Sequence, residues 1–333
     1  MLGKKVAVDL GTQSVRLLIK GENVILSEPA VVGYDPAELG VTAVYGAAAL
    51  RARVEEPRIH VGRPITAGSV ADEQLLYSLI GHLLVRAVGR QRIFKPDLVI
   101  AVMSAMSGDD RRVVLDAAMQ AGARTVYLID SVMAGAIGAG VSVMSASGHL
   151  VVDMGAGKTD IALLAMESTI AHSTLPGHGG EALRDAVAAR VQRVHGVTLE
   201  PHVAEDVVAS LLSAGVHEER TLSVDAKLDG AAGSVTLTST ELAPVLDAHL
   251  RPITAAVQEV LGEAPVSLRD DVEREGIIAF GGGARLEGFE RHLGSASGLR
   301  VRVDGDPLLS VIRGAGYALD NLDVLKRNFM YIR

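Results

Sequence analysis

The 333-residue chain is long enough for two domains, and its 48% hydrophobic content, with 3% aromatics and no Trp, builds cores from Ala, Val, Leu and Ile, as in α/β proteins. A net charge of -8 with both signs interspersed leaves no basic stripe and excludes nucleic acid as a partner, while zero Cys excludes disulfides, thiolate metal sites and a Cys nucleophile. Residues 1 to 5 run directly into an apolar strand and no apolar run approaches a membrane span, so a soluble intracellular chain is expected, touching membrane at most with its surface.

The N-terminal stretch KKVAVDLGTQSVRLLIKGENVIL reads as a strand ending near Asp9, a turn at Gly11 and Thr12, a second strand from Val15, and a third after Gly21. Residues 72 to 88 have helical periodicity. The linker RAVGRQRIFK, 86 to 95, sets Ile93 and Phe94 among Arg86, Arg90, Arg92 and Lys95, an apolar tip with a cationic rim suited to a membrane surface. The alternative is that Phe94 tucks under the following strand. DLVIAVMSAM, 97 to 106, reads as a buried strand, with helices at 109 to 122 and 131 to 140 around a short strand at 125 to 129.

LVVDMGAGKTD, 150 to 160, ends in the Gly-Lys-Thr of a P-loop, but the position five before Gly157 is Val152 where that loop needs glycine. The stretch is instead a strand, a Gly-rich turn and a second strand: a hairpin. It repeats the device around Asp9, 144 positions earlier, and implies two related halves. Helices follow at 180 to 194 and 240 to 261, then a strand at 276 to 280 and a helix opened by Gly281-Gly282-Gly283.

An Asp closing a strand before x-Gly sets a carboxylate beside backbone amides that a phosphate can approach closely. Two such hairpins, at Gly11, Thr12, Gln13, Ser14 and at Gly155, Ala156, Gly157, Lys158, are expected to clamp a polyphosphate, with Asp9 and Asp153 holding Mg2+ through its waters. Gly281, Gly282, Gly283 and Ala284 would let a base or sugar lie on bare backbone. Arg16 either reaches a phosphate or stays solvated; Glu181, after Gly180, caps a helix first and serves Mg2+ second. The ten histidines lack zinc spacing, and no G-x-S-x-G supports acyl transfer.

Extended stretches then resemble the actin, sugar-kinase and heat-shock-chaperone ATPase superfamily, and within it the MreB-like bacterial actins: DLGTQSVRLLIKGENVILSEPAVVGY at 9 to 34, RRVVLDAAMQAGARTVYLIDSVMAGAIGAG at 111 to 140, and GIIAFGGGARLEGFERHLGSASGLRVRVDGDPLLSVIRGAGYAL at 276 to 319. The resemblance implies two related α/β domains, each with a small inserted subdomain, ATP in a cleft between them, and polymerisation. The first large subdomain is then 1–32, 69–145 and 310–333 with the insertion 33–68, and the second is 146–180 and 239–309 with the insertion 181–238. It also implies a membrane-facing loop at Ile93 and Phe94, and filaments beneath the cytoplasmic membrane that organise cell shape together with membrane-bound cell-wall synthesis proteins.

Three departures from that pattern bear on chemistry. Asp130-Ser131-Val132 stands where Glu-Glu-Pro is usual, so the water-positioning carboxylate is Asp130, one methylene shorter; an error of about 1 Å there can cost on the order of a hundredfold. Gly155-Ala156-Gly157-Lys158-Thr159 replaces Gly-Gly-Gly-Thr-Thr, leaving Thr159 as Asp130's partner and Lys158 as an oddity, turned to solvent or supplying a local charge for polar groups lost elsewhere in the cleft. The ribose-holding charged pair falls near Glu205, Val208 and Ser210, where Val208 cannot hydrogen-bond. The expected activity is weak ATP hydrolysis coupled to polymerisation; the alternatives are a non-hydrolysing scaffold and, remotely, a small-molecule kinase.

Overall fold

Both candidate phosphate turns join adjacent antiparallel strands, and each hairpin lies inside its own sheet, flanked by a strand on either side. The computed structural model describes residues 3–22, 24–37, 43–89, 94–212, 219–228, 231–321 and 330–332. It separates into two compact units: 1–144 with 166–168 and 308–333, and 145–165 with 169–307.

In the first unit a six-stranded sheet runs in the order Met330–Ile332, Thr125–Asp130, Asp97–Val102, Lys5–Leu10, Ser14–Ile19, Val24–Pro29. Lys5–Leu10 and Asp97–Val102 pair in parallel and are almost wholly buried, which is why they read as continuous apolar runs. The helix Glu73–Val88 buries Leu76, Leu79, Ile80, Leu83, Leu84 and Ala87, one stripe at helical spacing, and Asp72 caps it by accepting from the Leu75 amide at 3.0 Å. The strand expected to reach 106 stops at Val102, because Arg111 gathers the carbonyls of Met103, Ser104 and Met106 and draws the chain off the ladder.

The helices Ser131–Gly138 and Ser310–Asp320 cross at glycines. A Cβ on Gly138 would strike the Ser310 carbonyl oxygen, and one on Gly314 the Ala134 carbonyl oxygen. The two backbones therefore touch directly, with no side chain able to yield.

In the second unit the sheet order is Ser168–Pro176, Lys158–Ala165, His149–Met154, Ile277–Phe280, Val301–Val303. Against it pack the helices Gly180–His195 and Ser239–Glu263, the latter burying Leu242, Leu246, Leu250, Ile253, Val257 and Val260. Val197–Thr198, Thr221–Leu228 and Ala231–Thr238 form a separate three-stranded sheet next in sequence to the helix Pro201–Leu211. The helix expected directly after the triple glycine is instead a single 3-10 turn, Gly282–Arg285, and the α-helix begins at Phe289. Gly281 and Gly288 both take positive φ, 87° and 73°, and break the segment on either side of the turn.

Gly314→Ala should lower stability on the order of 3 kcal/mol through this backbone collision. Gly81→Ala, inside a helix with open space around the new methyl, should raise it by about 1 kcal/mol. Melting temperatures of the two variants check this; equal shifts in the same direction would refute the crossing argument.

Candidate functional site

The first turn follows from its register. Asp9 stands directly opposite Arg16, and Leu10 opposite Val15, so Gly11, Thr12 and Gln13 close the hairpin. Gly11 is needed because a Cβ there would lie 2.7 Å from the Ser14 carbonyl oxygen. Thr12 is buried, its carbonyl accepts from Arg63 at 2.8 Å, and its amide meets no partner among the described residues. The Gln13 carbonyl accepts from Ala30. Arg16 is neither solvated nor loose: its guanidinium lies 3.1 Å from Asp9 Oδ2, and both side chains are nearly buried. Burial pushes the Asp9 carboxyl above its ordinary value, and the charge and hydrogen bond of Arg16 pull it back.

The second hairpin has the same spacing. Asp153 faces Asp160, seven positions on, and Met154 faces Thr159. Its turn is seated on the start of the 180–195 helix: the Gly155, Ala156 and Gly157 carbonyls accept from the amides of Gly180, Glu181 and Gly177 at 3.0, 2.9 and 3.1 Å. The Ala156 and Gly157 amides make no hydrogen bond among the described residues and remain as donors. A side chain at Gly179 would collide with the Ala156 carbonyl and the Lys158 amide, so this seat requires glycine.

Lys158 does not point to solvent. It is 5% exposed and ion-paired with Asp160, itself wholly buried and also accepting from Thr174 at 2.7 Å with His172 at 3.4 Å. Burial alone would raise the Asp160 pKa, but hydrogen bonding from His172 and the charge of Lys158 hold it below the ordinary value. The charge of Lys158 is thus spent on Asp160, its strand neighbour, and neither of the two readings of Lys158 anticipated this. Thr159 is also fully buried, its hydroxyl donating to the His178 carbonyl at 2.6 Å, so its proton is committed to the loop before the helix.

Asp130 ends its strand and starts the 131–138 helix, and Arg111 holds its carboxylate at 2.5 Å. Next to it in sequence is Ser131, whose buried hydroxyl finds no partner among the described residues. Sequence reasoning missed the contact of Arg111 with Asp130, although Arg111 opens the stretch 111 to 140 that carries the family resemblance; an arginine near the start of a helix following a strand was the available signal.

In the second unit Gly281 lies against Asp153: a Cβ would come within 2.5 Å of both Asp153 Oδ1 and the Met154 carbonyl, while Gly283 lies on the Met154 side chain. Ala284 is buried and Gly282 starts the 3-10 turn. Glu205 is half paired with Arg184 at 3.4 Å on the surface of the 201–211 helix, whereas Val208 packs on the apolar core and offers nothing polar. Glu181 begins the 180–195 helix, its amide spent on Ala156. Phe94 is 50% exposed; Ile93 lies outside the described residues.

These features fit a polyphosphate. The Thr12 amide in the first turn and the Ala156 and Gly157 amides in the second have no partner among the described residues, and glycines leave room where a Cβ would fill it. They fit Mg2+ in donor chemistry, since Asp9 and Asp153 are hard oxygen ligands, and among the described residues no three His, Asp or Glu gather to grip a metal directly, leaving contact through water. No helix among the described residues is long and apolar enough to cross a membrane.

A family model described as MreB/Mbl protein matches residues 3–327. The cell shape-determining protein MreB of Escherichia coli is 31% identical over 333 residues, covering 97% of this chain and 95% of its own. The cell shape-determining protein Mbl of Bacillus subtilis is 29% identical over 331 residues, covering 98% and 99%. Among solved structures, MreB5 of Spiroplasma citri bound to ADP superposes with a TM-score of 0.90 at 24% identity, covering 98% of this chain and 99% of that one. The MamK double helical filament superposes with a TM-score of 0.79 at 20% identity, covering 96% and 99%. The fold is the actin-like one, and the chain belongs to the MreB/Mbl family of bacterial cytoskeletal proteins.

Proposed function

We propose that this protein binds ATP with Mg2+, polymerises, and organises cell shape and cell-wall synthesis as filaments lying on the inner face of the cytoplasmic membrane. The observation that carries the nucleotide reading is the pair of hairpins with identical seven-residue register, the first presenting the Thr12 amide and the second the Ala156 and Gly157 amides, all without partners among the described residues, next to a strand-ending Asp. The relatives' names and the nucleotide and filament in their titles support it. Mg2+ would neutralise phosphate charge, held through its waters by Asp9 and Asp153. Gly11, Thr12, Gln13, Ser14, Gly155, Ala156 and Gly157 would cradle the phosphates, and Gly281 to Ala284 the base and sugar.

Hydrolysis is read as weak. Asp130 is fixed by Arg111, which preorganises a carboxylate for water but also occupies one of its two oxygens. Thr159, with its proton on the His178 carbonyl, can only accept from that water. With Val208 apolar, the ribose loses one polar contact. The same Arg111–Asp130 pair favours the second reading, a filament that holds nucleotide without turning it over.

Sedimentation with ATP, ADP or no nucleotide, alongside phosphate release, separates these readings. Nucleotide-dependent pelleting with slow phosphate release is expected, and Asp130→Ala should cut that release about a hundredfold without preventing pelleting. Pelleting with no release at all selects the scaffold, and no pelleting in any condition sinks the filament reading.

Phe94 stands exposed in a cationic linker, and one aromatic side chain binds lipid weakly, so attachment relies on repetition along a filament. Replacing Ile93 and Phe94 by Ala should abolish co-sedimentation with anionic liposomes while filaments still form. Unchanged lipid binding would refute the membrane role.

A further inference from the structure

The 180–195 and 239–263 helices leave a groove of about 520 Å3 along one side of the second unit. Its walls are small and apolar: Ala182, Ala186 and Ala189 at helical spacing on one helix, Val245 and Ala248 on the other. Its polar groups are all basic. Arg190 and Arg193 lie one turn beyond the alanines, His178 and His249 stack at 5.9 Å between ring centres, and no acidic side chain lines the space.

Two enclosed atoms here lack the partners that buried polar atoms normally find. His249 is 7% exposed and its Nε2 meets no hydrogen-bond partner among the described residues; Arg190 is half-buried, and its enclosed Nε likewise meets none. Burial, with His178 alongside, lowers the His249 pKa to about 4, so its ring is neutral at pH 7. Stability alone gives no reason to keep an unpaired imidazole and an unpaired guanidinium nitrogen on an alanine-walled groove.

We propose that this groove is a binding site for a small organic carboxylate with an apolar body. The carboxylate lies on Arg190 and Arg193, whose planar forks match it, and takes a hydrogen bond from His249. The body lies on the alanine face. The volume falls in the range of about 300–1,000 Å3 usual for ligand pockets. A bare inorganic anion would leave the alanine wall unused, and a cation would be repelled by both arginines. None of the groove residues is among those assigned to nucleotide, although Gly177 and His178 at its rim also hold the second turn through Gly157 and Thr159.

Octanoate is the probe, titrated calorimetrically into the full-length protein, with octanol and inorganic phosphate as comparisons. Octanoate should bind with a stoichiometry of one, and octanol and phosphate each at least about tenfold more weakly. The double variant Arg190→Ala/Arg193→Ala should lose about tenfold or more, and Ala186→Phe, which fills the groove from an exposed helix position, should remove binding. Melting temperatures close to the parent's confirm that both variants fold. No octanoate binding, octanol binding equally well, phosphate binding equally well, or binding indifferent to Ala186→Phe would each overturn the proposal. A glutamate-containing peptide that binds where octanoate does not would overturn it too, in favour of a protein partner.

Discussion

The second turn depends on a missing side chain. Gly179 brings the start of the 180–195 helix so close to Ala156 and Lys158 that three successive turn carbonyls are satisfied by helix-side amides. Once the carbonyls face the helix, the Ala156 and Gly157 amides must face the other way, where no group among the described residues meets them. The donors that the proposed phosphate site calls for are thus a consequence of how the opposite edge of the turn is docked. Any residue larger than glycine at 179 would push the helix off, release the carbonyls and let the turn reorient.

The same docking explains Thr159. Its strand neighbours Lys158 and Asp160 face one side of the sheet and Thr159 the other, where its hydroxyl pins the His178 carbonyl and with it the loop that carries Gly179. A residue read from motif position as a water-orienting group is therefore also a strut for the turn. Because the two roles share one side chain, removing the hydroxyl alters turn geometry and water geometry together.

Much of this was legible in the sequence because it is local. The register argument against a P-loop needs only Val152 in place of glycine, and the hairpins, the 73–88 helix and the buried central strands follow from periodicity and turn chemistry. What was not legible depends on distant partners. Period-2 alternation puts Lys158 and Asp160 on one face but does not say that this face is buried, and nothing near them in sequence announces His172 and Thr174. Arg111 ends a strand early by reaching three carbonyls five to eight residues behind it. The triple glycine read as a helix start because glycine permits one, but its positive φ at Gly281 serves the close approach to Asp153 instead.

The hairpins match in length and register but differ in charge at the one position where they could best have been alike. The residue facing the strand-ending Asp is Arg16 in the first and Asp160 in the second. The first pair is neutral by itself. In the second, the single ammonium of Lys158 lies on Asp160 rather than on Asp153. A carboxylate already bridged by a guanidinium has part of its lone-pair capacity and much of its field used up. On the proposed nucleotide reading, Asp9 is therefore weakened as a partner for Mg2+ while Arg16 holds it, and Arg16 supplies positive charge at the first turn without a metal. Lys158, which looked like the business end of a P-loop, is spent instead on its own strand neighbour two positions on.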